Sequence, residues 1–402
     1  MIFGYNVEKI RQDFPMLSKP IIYFDNACMS LKPMQVISKI NEYYKEYTAC
    51  AGRSAHRLAS RVEEEIDKSR NEVKSLINAR HSSEIVFTRN TTEGINLAAN
   101  SIGLNNGDEI VISDKEHNSN LIPWLKLRKN GIKVVVAESN KDNTFNLENF
   151  RKSFTSKTKL VSIVFTSNLD GATNPVKEIA RISHQNGALI MVDAAQSAPS
   201  MEIDARKLDV DFMAFSGHKM LGPTGTGVLY GKKELLENME QFIVGGETVA
   251  DSTYNNYKME EAPMKFEAGL QDYSGIIGLG EACRYLKKIG LRNISEHEKK
   301  LNKAITESLI REEKISIIGP AEHEKRAGIF SFNIDGVDPH NAAKILDASK
   351  NIMTRSGAHC VHSWFNKHNL KGSVRASLYL YNTEEEAKIF VDEIKKIIKM
   401  EV

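Results

Sequence analysis

From residue 21 to about residue 230 the chain alternates short β-branched runs with segments of helical periodicity, and few folds accept that alternation. The strand-like runs are IIYFD, EIVFTRN, DEIVIS, KVVVAES, KLVSIVFTSN, LIMVDAAQ, VDFMAFS and GVLYG. Between them, Val62, Ile66, Val73 and Ile77 recur at helical spacing, and the segment 175–187 opens with Pro175 at a first helical turn. A strand that returns to its own sheet through a helix lies parallel to its predecessor. The pattern therefore predicts an α/β fold, with a mainly parallel, doubly wound sheet and helices on both faces.

After residue 290 the pattern changes. A long charged helix (293–310) is followed by strands at 315–318 and 327–334, a helix at 338–349, a strand at 373–381 and a final helix at 384–398. This predicts a smaller α+β domain, and 402 residues exceed what one compact core usually holds. The division expected is a large domain over 21–289 and a small domain built from 1–20 and 290–402. The stretch 245–263 and the helix after it are expected to form the hinge.

Lys plus Arg (54) nearly balance Asp plus Glu (52), and no basic block exists to grip a phosphate backbone, so nucleic acid is not an expected partner. No apolar run approaches the roughly 18 residues a membrane span needs, and charges appear by residue 8, so the expected location is cytoplasmic, with no membrane contact. Cys28, Cys50, Cys283 and Cys360 are widely spaced, with no CxxC pair, and are expected to be free thiols that hold no metal.

In open α/β sheets ligands sit beyond the carboxyl ends of the strands. Those ends carry Thr91, Thr92 and Glu93; Glu116, His117 and Asn118; Asn168; Asp193 and Gln196; and Ser216, Gly217, His218 and Lys219. A turn reading TTEG at a helix start offers backbone N–H groups and hydroxyls to a phosphate, although threonine also caps helices with no ligand present. Ser216 and His218 would complete such a cradle. In FSGHKMLGPTGTG the lysine precedes the glycines, the reverse of a nucleotide-binding P-loop. Lys219 is either a solvated charge or, if desolvated, an amine that forms a Schiff base with a carbonyl compound such as pyridoxal phosphate.

Asp193 ends an apolar strand, where it is either a helix cap or the partner of a protonated pyridine nitrogen. His117 suits stacking on a ring face and proton exchange near neutral pH, or simply a satisfied hydrogen bond. Gln196 suits a ring hydroxyl. In TRSGAHCVH, Cys360 stands between His359 and His362, and nearby basic groups favour its thiolate, the nucleophilic form; a structural cysteine is the alternative. Arg375, on an otherwise apolar strand, suits either a bidentate clasp on a carboxylate or a structural ion pair.

Taken together, YFDNA, TTEGINLAANS, EHNSNLIPW, MVDAAQ, FSGHKMLGPTGTG, FEAG and RASLYLYNT run through essentially the whole chain. The sequence resembles the pyridoxal-phosphate-dependent class V aminotransferase family and, within it, the SufS-type (group II) cysteine desulfurases. The resemblance implies fold type I and a homodimer with its active sites at the subunit interface. It implies that Lys219 carries the pyridoxal 5'-phosphate, Asp193 pairs the ring nitrogen, His117 stacks on the ring and Gln196 meets its hydroxyl. Thr91, Thr92, Ser216 and His218 would hold the phosphate. Asn26, Asn168, His359 and Arg375 would face the substrate, with Cys360 as sulfur acceptor.

The implied reaction takes L-cysteine, or selenocysteine, to L-alanine and leaves a persulfide on Cys360 for an acceptor protein. That sulfur would serve iron–sulfur clusters or other sulfur-containing cofactors. Another class V activity, such as a selenocysteine lyase, an aminotransferase or a β-lyase, fits the same lysine and aspartate. Three departures stand out: Leu270 where relatives carry a threonine, Gly52–Arg53–Ser54–Ala55–His56 in place of HRG-I-H, and Val361 after the acceptor cysteine.

Overall fold

The computed structural model describes residues 5–52 and 54–400. Residues 1–4, 53 and 401–402 lie outside the described residues, so Arg53 and the outermost ends of the expected small domain carry no structural account.

A seven-stranded sheet occupies the centre of the first part of the chain. Its strands are β2 (Ile85–Thr88), β3 (Glu109–Ser113), β4 (Lys133–Ala137), β5 (Thr158–Val164), β6 (Leu189–Asp193), β7 (Phe212–Ser216) and β8 (Gly227–Gly231), in the order β2-β8-β7-β6-β5-β3-β4. Only β8 runs against its neighbours. Successive side chains alternate between two cores, as the pleat demands. Ile190, Val192, Met213 and Phe215 enter one cluster, while Met191, Phe212 and Ala214 enter the other. With both faces covered, these strands read as continuous apolar runs rather than as an alternation with polar residues, which is why the sequence displays them so plainly.

IIYFD departs from the expectation. It forms only a short strand, β1 (Ile22–Tyr23), which stays out of the large sheet and pairs in parallel with β13 (Ile352–Met353). The stretch expected as a hinge makes an exposed antiparallel ribbon of β9 (Val249–Ser252) and β10 (Tyr257–Met259). The helix after it, Tyr273–Ile289, is buried along most of its length and packs on the helices Met34–Glu46 and Arg57–Leu76. That packing is close: a Cβ on Gly280 would lie 2.4 Å from the Ser69 hydroxyl.

The later part of the chain builds an antiparallel sheet, β11 (Ile315–Ile318), β12 (Ile329–Ile334), β15 (Ser373–Ser377) and β14 (Arg355–Gly357), in the order β11-β12-β15-β14. Leu301, Leu346 and Phe390, from the helices Leu291–Leu309, Pro339–Lys350 and Glu384–Lys399, form one core with Phe330 and Phe332 of β12. Ile22 and Phe24 join this second core. The expected strand over 373–381 stops at Ser377, where the buried run Leu378–Tyr381 turns towards the N-terminal segment; Tyr5 donates to the Leu380 carbonyl and Arg11 to that of Tyr381.

Candidate active site

The carboxyl ends of β2, β3, β5, β6 and β7 face the start of β14 and the turn after it across a cavity of about 260 Å³. Thr91, Thr92, His117, Asn168, Asp193, Gln196, Ser216, His218, Lys219, His359, Cys360 and Arg375 all line it. Asn26 does not. Its amide donates to the Ser377 carbonyl at 2.7 Å and its Oδ1 accepts from the Tyr381 hydroxyl, so the side chain is spent on holding the N-terminal segment to the end of β15.

Lys219 closes the short turn Gly217–Lys219 directly after β7. Its amine makes no hydrogen bond among the described residues, and burial pushes its pKa below the lysine range against the opposing pull of Asp193. Asp193 is buried, which raises its pKa. One carboxylate oxygen accepts from the Ala195 N–H at 2.9 Å, and the other has no partner among the described residues. Both groups are thus held with unused capacity.

The helix Thr91–Ser101 starts beside them. Asn90 caps it through the Glu93 N–H, so the helix does not need Thr91 or Thr92 as its cap. Ser216 accepts from the Thr91 N–H at 2.8 Å and shares a 2.6 Å hydrogen bond with the Thr91 hydroxyl, while Thr92 meets Ser119 at 2.7 Å. Hydroxyls and a helix N-terminus therefore converge at one end of the cavity. A side chain cannot fill that corner from β8, because a Cβ on Gly227 would lie 2.5 Å from the Asn90 Cα.

His117 accepts from the Ser119 N–H through Nδ1 at 3.0 Å, which leaves the hydrogen on Nε2. Burial and the nearby Lys219 push its pKa down to about 3, so the ring is neutral and does not exchange protons near pH 7 as its position suggested. His218 is pushed to about 4 by the same two causes. Gln196 donates to the Ala27 carbonyl at 2.7 Å.

Across the cavity, His359 and Cys360 both take left-handed backbone conformations, with φ of 49° and 58°. Such a residue costs about 1–2 kcal/mol when it is not glycine. The turn is held by the Cys360 carbonyl, which accepts from the Asn118 N–H at 2.7 Å, and by Asn168, which donates to the His359 carbonyl at 2.7 Å. Cys360 itself is exposed. Burial and the Arg375 guanidinium push His359 to about 2, so it is a neutral neighbour of the thiol rather than a basic one.

Arg375 donates to the Asn168 carbonyl at 3.0 Å and faces Asp25 at 3.6 Å. Asn168 Oδ1, His359 Nδ1 and Arg375 Nε are buried without a hydrogen-bond partner. Three such atoms on one cavity wall are costly unless a polar ligand meets them.

The structure adds residues to which the sequence attached no role. Glu116, buried beside His117, has its pKa raised by burial to about 7 and accepts from Asn120 at 2.6 Å and the Val164 N–H at 3.0 Å. Asp25 accepts from Arg355 at 3.2 and 2.8 Å, and Cys28 enters the cavity. Asp25 belongs to the YFDNA motif, Cys28 follows it and Arg355 lies in the acceptor segment, but no spacing in the sequence shows that they meet. Among the described residues no group of His, Cys, Asp and Glu is arranged to hold a metal.

The model of the aminotransferase class-V family matches residues 22–390. A probable cysteine desulfurase of Halalkalibacterium halodurans is 42% identical over 400 residues, covering 97% of this chain and 98% of that protein. One of Methanothermobacter thermautotrophicus is 39% identical over 404 residues, covering all of both. Among solved structures, the apo cysteine desulfurase from Thermococcus onnurineus NA1 superposes with a TM-score of 0.93 at 40% identity, over 98% of each chain. The cysteine desulfurase CsdA from Escherichia coli superposes with a TM-score of 0.92 at 30% identity, covering 98% of this chain and 99% of that one. With a family model that matches most of its length, relatives alike over their full length and solved structures that superpose on nearly all of it, the chain belongs to the aminotransferase class-V family.

Proposed function

We propose that this protein is a pyridoxal 5'-phosphate-dependent cysteine desulfurase of the SufS type, which converts L-cysteine to L-alanine and leaves the sulfur on Cys360 as a persulfide. The observation that carries this reading is the meeting, in one cavity, of an unpaired amine (Lys219), a buried carboxylate with a free oxygen (Asp193) and an exposed thiol (Cys360).

The residues fit the cofactor. Thr91, Thr92, Ser216 and His218 would take its phosphate, Asp193 its ring nitrogen, His117 its face and Gln196 its hydroxyl. When bound, pyridoxal phosphate supplies an electron-poor ring that lets an amino acid lose its α-proton and weakens the bond from Cβ to sulfur. Lys219, with its pKa lowered, is able to take that proton and return it. Asp193 keeps a proton on the ring nitrogen by offering its unpartnered oxygen. Arg375 has an unused Nε–H to offer a substrate carboxylate, and the unused Oδ1 of Asn168 would accept from the substrate amine. Cys360 attacks the substrate sulfur from a turn that solvent and an acceptor protein can both reach.

We infer further that the small domain is formed by 1–20 with 290–402, and that the enzyme works in the cytoplasm as a homodimer. Its sulfur would go to an acceptor protein for iron–sulfur or other sulfur cofactor synthesis. No helix among the described residues is long and apolar enough to cross a membrane. Support for the dimer comes from the exposed apolar residues Phe242, Ile243, Val244 and Leu270. Three of these, Phe242, Ile243 and Leu270, line a cavity of about 460 Å³.

The test is formation of alanine and sulfide from L-cysteine with a reductant present, comparing the yellow holoenzyme with Cys360→Ala. A variant that keeps its colour but loses alanine formation supports the desulfurase. Full turnover by Cys360→Ala overturns it in favour of an activity in which the thiol has no part.

A further inference from the structure

Cys28 lines the Lys219 cavity together with Cys360; of the remaining cysteines, Cys283 is buried in the core and Cys50 lies elsewhere on the surface. The desulfurase reading leaves Cys28 without a task.

Its placement is well defined. Cys28 lies half-buried in a turn closed by two hydrogen bonds to the Asp25 carbonyl, from the Cys28 N–H at 3.1 Å and the Met29 N–H at 3.2 Å. The Asp25 carboxylate grips Arg355, the first residue of β14, and β14 leads into the Cys360 turn. One ion pair therefore ties the segment that carries the first thiol to the segment that carries the second. Both thiols act electrostatically on Lys219 and on Arg375, and Arg355 and Arg375 line the cavity with them. The Cys360 turn, with two successive left-handed residues, is strained backbone of the kind that clusters at functional sites.

We propose that Cys28 is a second sulfur carrier, which takes the outer sulfur of the Cys360 persulfide inside the cavity. This rests on the desulfurase reading. The Cys28 thiolate attacks the terminal sulfur of Cys360–S–SH, forming a bond from Cys28 Sγ to that sulfur. The bond to Cys360 Sγ breaks, and its electron pair stays on Cys360 as a thiolate, which takes up the proton Cys28 gave away. The moving sulfur keeps its oxidation state, so no oxidant or reductant is needed. The two guanidinium groups face the negative charge as it passes from one sulfur to the other. Cys360 is then free for another turnover while the first sulfur waits on Cys28.

The holoenzyme is given excess L-cysteine without reductant or acceptor, quenched with an alkylating reagent, and its cysteine peptides are weighed. Expected are sulfane sulfur on the Cys28 peptide as well as the Cys360 peptide, none on Cys50 or Cys283, and an alanine burst of about two equivalents per chain against about one for Cys28→Ser. In Cys360→Ser, neither peptide should carry sulfur. Sulfur on Cys360 alone, with equal bursts from wild type and Cys28→Ser, overturns the carrier, and so does a Cys28–Cys360 disulfide in place of a Cys28 persulfide. The peptide map of the wild-type protein gives this answer even if the variant does not fold. A wild type that forms neither alanine nor any persulfide overturns the desulfurase reading, and the carrier with it.

Discussion

Asn168 donates its side-chain amide to the carbonyl oxygen of His359 at 2.7 Å, fastening the loop after β5 to the residue that precedes Cys360. The bond is buried, and the acceptor is a residue held in a left-handed conformation. Replacing Asn168 by alanine removes it without touching the thiol. A net hydrogen bond is worth about 1 kcal/mol, so persulfide formation on Cys360 should slow by about five- to tenfold. Cofactor absorbance should be unchanged, and rapid-quench measurement of alanine checks the rate.

Lys219 should be the residue that bonds covalently to the cofactor. Reduction of the holoenzyme with borohydride is expected to leave the cofactor mass on the peptide containing Lys219. The Lys219→Ala variant should release its cofactor on denaturation and lose on the order of 10²- to 10⁴-fold in turnover. A label on any other lysine would remove the basis of the site.

Stability should fall in mild acid, and His359 should account for part of the fall. Its pKa drops from the ordinary 6.5 to about 2 in the folded protein, because burial and Arg375 disfavour the charged ring. Below pH 6.5 the unfolded chain takes up a proton that the native state refuses. The contribution is thus complete above pH 6.5 and is lost as pH falls towards 2, by up to about 1.4 kcal/mol per pH unit. His359→Gln should shrink the stability difference between pH 7 and pH 5 by about 2 kcal/mol, measured by urea unfolding at each pH.

Glu267, in the FEAG motif, accepts from Arg70 at 2.7 and 2.9 Å and also from the Phe87 N–H at 2.8 Å, with both side chains buried. Removing one member of such a pair strands the other. Arg70→Ala should cost about 3–5 kcal/mol in urea unfolding. Arg70→Ala combined with Glu267→Gln should cost less than the two single changes added together.

Val244 is 63% exposed and Leu270 71% exposed, in contrast to the buried apolar residues around them. If the face that carries Phe242, Ile243, Val244 and Leu270 joins two copies, then Val244→Glu should weaken the dimer by roughly tenfold or more. Sedimentation at a series of concentrations reads this directly. A wild-type monomer at every concentration would exclude the homodimer.

Much of the site could be read from the sequence because the strands of the large sheet are buried on both faces and announce their own ends. Ser216, Asp193 and Asn168 follow apolar runs that only a sheet interior explains, and the structure places all three around one cavity. Asn26 and the strand IIYFD could not be placed in the same way. Periodicity reports burial but not the partner, and the partners lie 351 positions away for Asn26 and 330 (352 − 22) for Ile22. By residue type His117 looked like a proton carrier and His359 like a basic neighbour of the Cys360 thiol. Their neutrality follows from Lys219 and Arg375, which are neighbours in space only. The ribbon at 249–259 has the polar, turn-rich composition of a linker, and nothing in that composition distinguishes the two.

The pairing of Ile22 with Ile352 has a consequence for how the protein is made. During synthesis the first strand to leave the ribosome stays unpaired until some 330 further residues have followed, which at 5–20 residues per second is roughly 15 to 65 seconds. The Asp25–Arg355 contact must wait equally long. The cavity therefore cannot close around Lys219 on a nascent chain, and a ribosome stalled before β13 would hold a finished large sheet beside an unfinished active site.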